Sequence, residues 1–269
     1  MCLPPPIVAQ MEFRDTVCVV TGGAGGIGRA LGSAFLAEGA QTVILADLDR
    51  DTVDAAAEEL GAVGVVCDVT EQANVQRLVE EVEDDHGPID LFCSNAGFSI
   101  DGGLEVADDG WLLLWDLHVM AHVYAARAVL PSMVSRGSGY LLQTVSAAGL
   151  LASLTSLPYT VTKHASLALA EWLAITHRDH GIRVSAICPL VVDTPLSGRF
   201  SLDTVGEMAR PEDVATAAVD GIRTERFLIL PQPEVAEYVS RKAQDTDRWL
   251  GSMSKLWARV SERNAGDLP

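Results

Sequence analysis

The chain has 269 residues, with 19 Lys and Arg against 37 Asp and Glu, giving a formal net charge of −18. So large an acidic excess argues against a nucleic-acid partner, because phosphate backbones are bound by clustered basic groups. With 48% apolar and 21% charged residues, the chain is too apolar for disorder and long enough to bury a substantial core, and α/β chains of about 250 residues commonly form one domain.

The opening MCLPPPIVAQ lacks the positive flank and long apolar stretch of a signal peptide, and no run nears the roughly 18 apolar residues of a membrane span. Neither a leader nor an anchor is expected. Next come short β-branched runs alternating with segments of helical period: TVCVV, IGRALGSAFLAEG, TVILAD, a helix to Leu60, VGVVCDV, a helix to Asp85, and DLFCSN. Strands that read as continuous apolar runs are buried on both faces, and parallel strands need crossover helices. The second half continues with one long helix from about Asp108 to Arg136, GYLLQTVS, a helix from about Leu157 to His180, IRVSAICP, a helix after Pro211, and RFLILP. The expected fold is therefore α/β, a doubly wound, seven-stranded parallel sheet of Rossmann type with helices on both faces. The core is expected over about residues 11–230, with a helical extension over about 231–269 formed by EVAEYVSRKAQ and DTDRWLGSMSKLWARVSER. The second of these has an apolar stripe through Trp249, Leu250, Met253, Leu256, Trp257 and Val260, which has to pack on something.

Cys2, Cys18, Cys67, Cys93 and Cys188 are odd in number and scattered, with no CxxC pair. Reduced, buried thiols in a cytoplasmic protein fit this pattern, and no metal site is expected.

The first strand runs directly into TGGAGGIG, Thr21 to Gly28, and then into a helix. Glycines allow a tight turn and close backbone approach to a pyrophosphate, whose charge then sits at a helix N-terminus. The second strand ends in Asp47, about 20 residues on, as the dinucleotide fingerprint requires. Asp47 can accept hydrogen bonds from both adenosine ribose hydroxyls, and its charge repels the 2′-phosphate of NADP. Gly25 stands where a basic residue would otherwise meet that phosphate, so NAD is the expected cofactor.

TGGAGGIG, the triplet Asn95-Ala96-Gly97, and Tyr159 followed four residues later by Lys163, with Ser146 thirteen residues upstream of the tyrosine, together resemble the short-chain dehydrogenase/reductase family over about residues 11–230. Spacing alone puts Tyr159 and Lys163 on one helix face, where an ammonium is expected to lower the phenol's pKa. The resemblance implies that Tyr159 exchanges a proton with the substrate oxygen, Ser146 steadies that oxygen, and Lys163 also binds the nicotinamide ribose. It further implies cofactor contacts at Gly22, Gly26, Ile27, Gly28, Asp68, Val69, Asn95, Ala96 and Gly97, a backbone contact from Val192 to the carboxamide, and one from Thr194 to the amide or diphosphate. Asp68 can instead simply cap a strand.

Three departures from the family stand out. His118 occupies the position of the family's catalytic asparagine, which kinks its helix and holds a relay water. An imidazole both donates and accepts, so His118 either takes over the relay or is a satisfied histidine near a subunit contact. Leu190 replaces the usual glycine after Pro189, leaving the path of that turn open. LPQPEVAEYV replaces a glycine-rich ending found in many bacterial 3-oxoacyl carrier-protein reductases, and the acidic surface would repel an acidic carrier. Leu196, Phe200, Leu202, Val205 and Met208, with Phe98 and the stretch LLASLTSL, suggest an apolar substrate pocket. The expected activity is NAD-dependent interconversion of a hydrophobic secondary alcohol and its ketone, in a homodimer or homotetramer. The alternatives are a 3-oxoacyl-thioester reductase and a non-catalytic NAD-binding sensor.

Overall fold

The computed structural model describes residues 11–194 and 208–266, with side chains through Arg259. In chain order the elements are β1 Val17–Thr21, α1 Gly26–Ala37, β2 Thr42–Asp47, α2 Arg50–Leu60, β3 Val63–Val66, α3 Gln72–His86, β4 Leu91–Ser94, α4 Asp108–Trp115, a π-helical turn Asp116–Met120 and α5 Ala121–Arg136. There follow β5 Gly139–Thr144, α6 Leu157–His177, β6 Ile182–Ile187, α7 Pro211–Arg223, β7 Leu228–Ile229, α8 Glu234–Gln244 and α9 Thr246–Gly266. All seven expected strands form one sheet in the order β3-β2-β1-β4-β5-β6-β7, and every pairing is parallel.

Alternation along each strand builds two cores, because successive side chains point to opposite faces. Val17, Val19, Ile44, Phe92 and Leu141 face α3, α5 and α6. Cys18, Val20, Leu45, Cys93 and Leu142 face α1, α2 and α7. Each helix supplies a matching stripe: in α3, Val75, Leu78, Val79 and Val82 are buried at spacings of three and four residues, the period of one helix face. Local chemistry sets the ends. Asp49 caps α2 by accepting from the Thr52 amide at 2.9 Å, and Gly61 closes it in the left-handed conformation, where a side chain would be strained.

Two expected helices are subdivided. The segment from Asp108 to Arg136 is helical throughout but passes through a π turn at Asp116–Met120, and the α-helix expected to reach His180 ends at His177 and tightens into a 3-10 turn, Arg178–His180. Of the apolar loop residues named above, Leu196, Phe200, Leu202 and Val205 lie outside the described residues, while Met208 lies within them. Among the described residues no helix is long and apolar enough to cross a membrane.

Candidate active site

Parallel strands send all their carboxyl ends to one edge of the sheet. That edge carries Thr21, Asp47, Ser94 and Thr144, and the strand order reverses between β1 and β4, where ligands bind in open α/β sheets. The glycine loop turns sharply there. Gly22 has φ +63°, a Cβ on it would come within 2.8 Å of the Ala96 backbone, and a Cβ on Gly28 would stand 2.1 Å from the Gly22 carbonyl oxygen. Only glycine permits that approach. Gly26 packs on Thr194, whose methyl a Cβ would meet at 2.9 Å, and Ile27 is partly buried against the core.

Asp47 sits at the tip of β2, with one carboxylate oxygen accepting from the Ala24 amide at 3.0 Å and the other from Leu48 at 2.8 Å. Its carboxylate is thus fixed beside the glycine loop. Asp68 accepts from the Thr70 amide and hydroxyl at 2.9 and 2.6 Å, so it does cap the turn after β3, and Val69 beside it is buried. The Asn95 side-chain amide donates to the Thr21 carbonyl at 2.9 Å, while the Asn95 and Ala96 backbone amides donate to the Thr21 hydroxyl at 2.9 and 3.2 Å. This tie clamps the end of β4 to the glycine loop. Val192 bridges to Ala209, and the Thr194 hydroxyl donates to the Val192 carbonyl at 3.4 Å.

Tyr159 and Lys163 lie in the first two turns of α6. Ser156 caps that helix by accepting from the Tyr159 amide at 3.2 Å, placing the positive end of the helix dipole near the phenol. Lys163 is 2% exposed. Its ammonium lies 5.6 Å from the centre of the Tyr159 ring and donates to the Thr144 carbonyl at 2.9 Å. Burial draws the Lys163 pKa down from 10.5 to about 8. The Tyr159 phenol is raised rather than lowered: burial dominates, and the Ser146 hydroxyl opposes it. The depression expected from Lys163 is therefore absent, because desolvation disfavours the phenolate and the ammonium lies toward the ring. Ser146 caps a 3-10 turn, accepting from the Ala148 amide at 3.1 Å.

His118 lies in the π turn and is fully buried. Its ring meets that of Tyr159 edge-on at 5.3 Å and 88°, and Nδ1 is 2.9 Å from the Thr162 hydroxyl. That hydroxyl has the Pro158 and Tyr159 carbonyls at 3.0 and 3.1 Å. Nε2 has no partner, although the Phe98 backbone lies on a side that favours protonation. A Cβ on Gly97 would stand 3.2 Å from Nε2 and 3.7 Å from the Lys163 ammonium, so the missing side chain leaves those two groups facing one space. Burial first, then Lys163 and His122, hold His118 well below the usual imidazole range.

Behind this set sits His122, one turn further on, which sequence reasoning missed. Burial, with Lys163 adding to it, takes its pKa down to about 3. With Ser94 it lines a small cavity also bounded by Thr21, Phe92 and Leu117. Ser94 Oγ and Thr144 Oγ1 are buried without hydrogen-bond partners, while the Gln143 side chain beside His122 opposes the lowering of its pKa. Its spacing of four residues from His118 was the available signal. No group of three or more His, Cys, Asp or Glu side chains among the described residues could hold a metal.

The short chain dehydrogenase family model matches residues 16–204, which is most of the sheet and all of the motifs above. The chain is a short-chain dehydrogenase/reductase. Among its relatives, this dehydrogenase is 34% identical to 1-deoxy-11-beta-hydroxypentalenate dehydrogenase of Streptomyces exfoliatus over 251 residues, covering 89% of this chain and 90% of that one. It is 30% identical over 218 residues to meso-2,3-butanediol dehydrogenase of Serratia marcescens, covering 76% and 86%. In fold, the dehydrogenase is similar to a short chain dehydrogenase/reductase from Burkholderia phymatum solved in complex with NAD, with TM-score 0.81, 27% identity, and 88% and 96% of the two chains covered. It is an oxidoreductase of a family acting on CH–OH groups.

Proposed function

We propose that this dehydrogenase uses NAD to interconvert a hydrophobic secondary alcohol and its ketone, with Tyr159 as general base in oxidation and general acid in reduction. The observation that carries the reading is the meeting of Tyr159, Lys163, Ser146 and His118 at the carboxyl edge of the sheet, beside the loop that only glycine can form. The Gly22–Gly28 loop, Asp47, and the segment around Val192 and Thr194 would hold the dinucleotide, which supplies the hydride acceptor or donor when bound. Asp47, fixed at the β2 tip with no basic residue at Gly25, favours ribose hydroxyls over a phosphate.

Each remaining step belongs to the chain's own groups. The Ser146 hydroxyl donates to the substrate oxygen. Tyr159 takes the alcohol proton. Because burial holds the phenol protonated, oxidation accelerates as pH rises toward its pKa. The Lys163 ammonium, its pKa drawn down to about 8, can release a proton into the space it shares with His118 Nε2 and so become the neutral amine, and a neutral imidazole can relay that proton. Phe98, which is exposed, and the apolar stretch before Tyr159 favour a hydrophobic substrate. The names of the two curated relatives, a hydroxypentalenate and a butanediol dehydrogenase, support a hydroxyl-bearing one.

The test follows nicotinamide absorbance with NAD and NADP over a panel of hydrophobic secondary alcohols, with Tyr159→Phe as control. Turnover with NAD that falls by roughly a hundredfold or more in the control is expected. Preference for NADP would refute the role given to Asp47, and tight NAD binding without turnover in either direction would favour a sensor.

A further inference from the structure

We propose that Gln232 is a positioning residue for the nicotinamide side of the cleft, a proposal that rests on the NAD reading above. The segment leaving β6 is Cys188-Pro189-Leu190-Val191-Val192, and Gln232, which is buried, grips its middle. The Leu190 amide donates to Gln232 Oε1 at 3.0 Å, and Gln232 Nε2 donates to the Val191 carbonyl at 2.7 Å. A backbone N–H can only donate and a carbonyl can only accept, so one orientation of the side-chain amide satisfies both. The grip closes a fold-wide stitch. The Pro189 carbonyl accepts from the Ala147 amide at 2.7 Å, next to Ser146, and the Val191 carbonyl also accepts from Ala209 at 3.0 Å. The Ser146 hydroxyl reaches the Pro189 carbonyl at 3.4 Å. One turn thus connects the substrate-oxygen donor, the segment carrying Val192, and a residue 42 positions away.

Position 190 gives the grip its purpose. Leu190 stands where the resemblance leads one to expect glycine, and among the described residues only Asp15 and Glu225 are non-glycine residues with positive φ. Leu190 therefore follows a path open to an ordinary side chain, and the Leu190 N–H and the Val191 carbonyl, on either side of one intervening peptide group, take their partners from Gln232. The segment that carries Gln232 is tied on both sides of it. Cys188 donates to the Ile229 carbonyl at 2.9 Å, and the Val235 amide donates to the Gln232 carbonyl at 3.2 Å, with Val235 fully buried at the start of α8.

The experiment uses full-length Gln232→Met, which fills a similar volume without either hydrogen bond, and Gln232→Glu, which keeps the acceptor. Hydrogen exchange of residues 190–194 is measured without nucleotide, NADH affinity by fluorescence, and KM for NAD from turnover. In Gln232→Met, exchange of the Leu190 amide and both NADH Kd and KM for NAD should rise roughly tenfold, while exchange in β1 stays at the wild-type rate. Gln232→Glu should recover NADH affinity as pH falls, since only a protonated carboxyl can donate to Val191, and a merely structural residue would give no such recovery. Faster exchange with unchanged NADH affinity and KM overturns the proposal and leaves the NAD reading intact. A wild-type protein that does not bind NADH overturns both.

Discussion

Lys163 holds its ammonium in a site that opposes charge. Its folded pKa of about 8 lies below the 10.5 of the unfolded chain, so between those values the unfolded state binds a proton the folded state has released, and stability rises with pH across that window. Below pH 8 both states are protonated and the folded state bears the full penalty, roughly 3 kcal/mol. Denaturant unfolding of nucleotide-free wild type and Lys163→Met from pH 7 to 10.5 should show wild type gaining on the variant by about that amount, and parallel curves would refute the buried charge. Tyr159, Lys163 and the glycine loop were legible in the sequence because their chemistry lies in short, local spacings. The direction of the Tyr159 shift was not, because sequence displays a charged neighbour but not the desolvation that outweighs it. The grip on Leu190 was equally hidden, since nothing in PQP distinguishes a buried glutamine from a surface one.

The π turn Asp116–Met120 is the element that reshapes the site. An extra residue per turn widens the helix and re-aims its side chains, and such bulges concentrate at functional sites. Here it accompanies a His118 ring set edge-on to Tyr159, with one nitrogen on Thr162 and the other on the Lys163 side. If that imidazole relays protons, His118→Ala should lower kcat by roughly tenfold to a hundredfold and change its pH profile, with His118→Asn retaining more activity than Ala. A kcat and pH profile identical to wild type in the alanine variant would leave His118 a packing residue. The long helix itself was readable from its apolar period, but the bulge was not, because a single extra residue barely disturbs the pattern. The ring's partner lies 44 residues away. By contrast, the seven strands and their alternation with helices emerged intact, as buried parallel strands are the most continuous apolar runs in the chain.

Charge and surface apolarity pull the whole molecule in opposite directions. A net charge of −18 makes two copies repel, yet Leu112, Leu113 and Trp115 on α4 and Trp172 and Ile175 on α6 are exposed, on helices that pack against one another. The homodimer or homotetramer that the family resemblance implies would cover side chains of this kind. Light scattering at micromolar concentration in 0.15 M salt, where surface repulsion is screened within about 8 Å, should report at least a dimer, and a monomer there would refute the assignment. The sheet carries another whole-molecule consequence. Cys18, Cys67, Cys93 and Cys188 are all buried and unpaired, with burial raising Cys18 and Cys188 to about 12, Cys67 to about 11, and Cys93 well above its ordinary value. Alkylating reagents attack thiolates at accessible sites, so these four sulfurs are silent while the strands stay closed. Their labelling rate is then a clock for opening of the fold, with Cys18 and Cys93 timing the central strands and Cys188 the turn beneath Leu190.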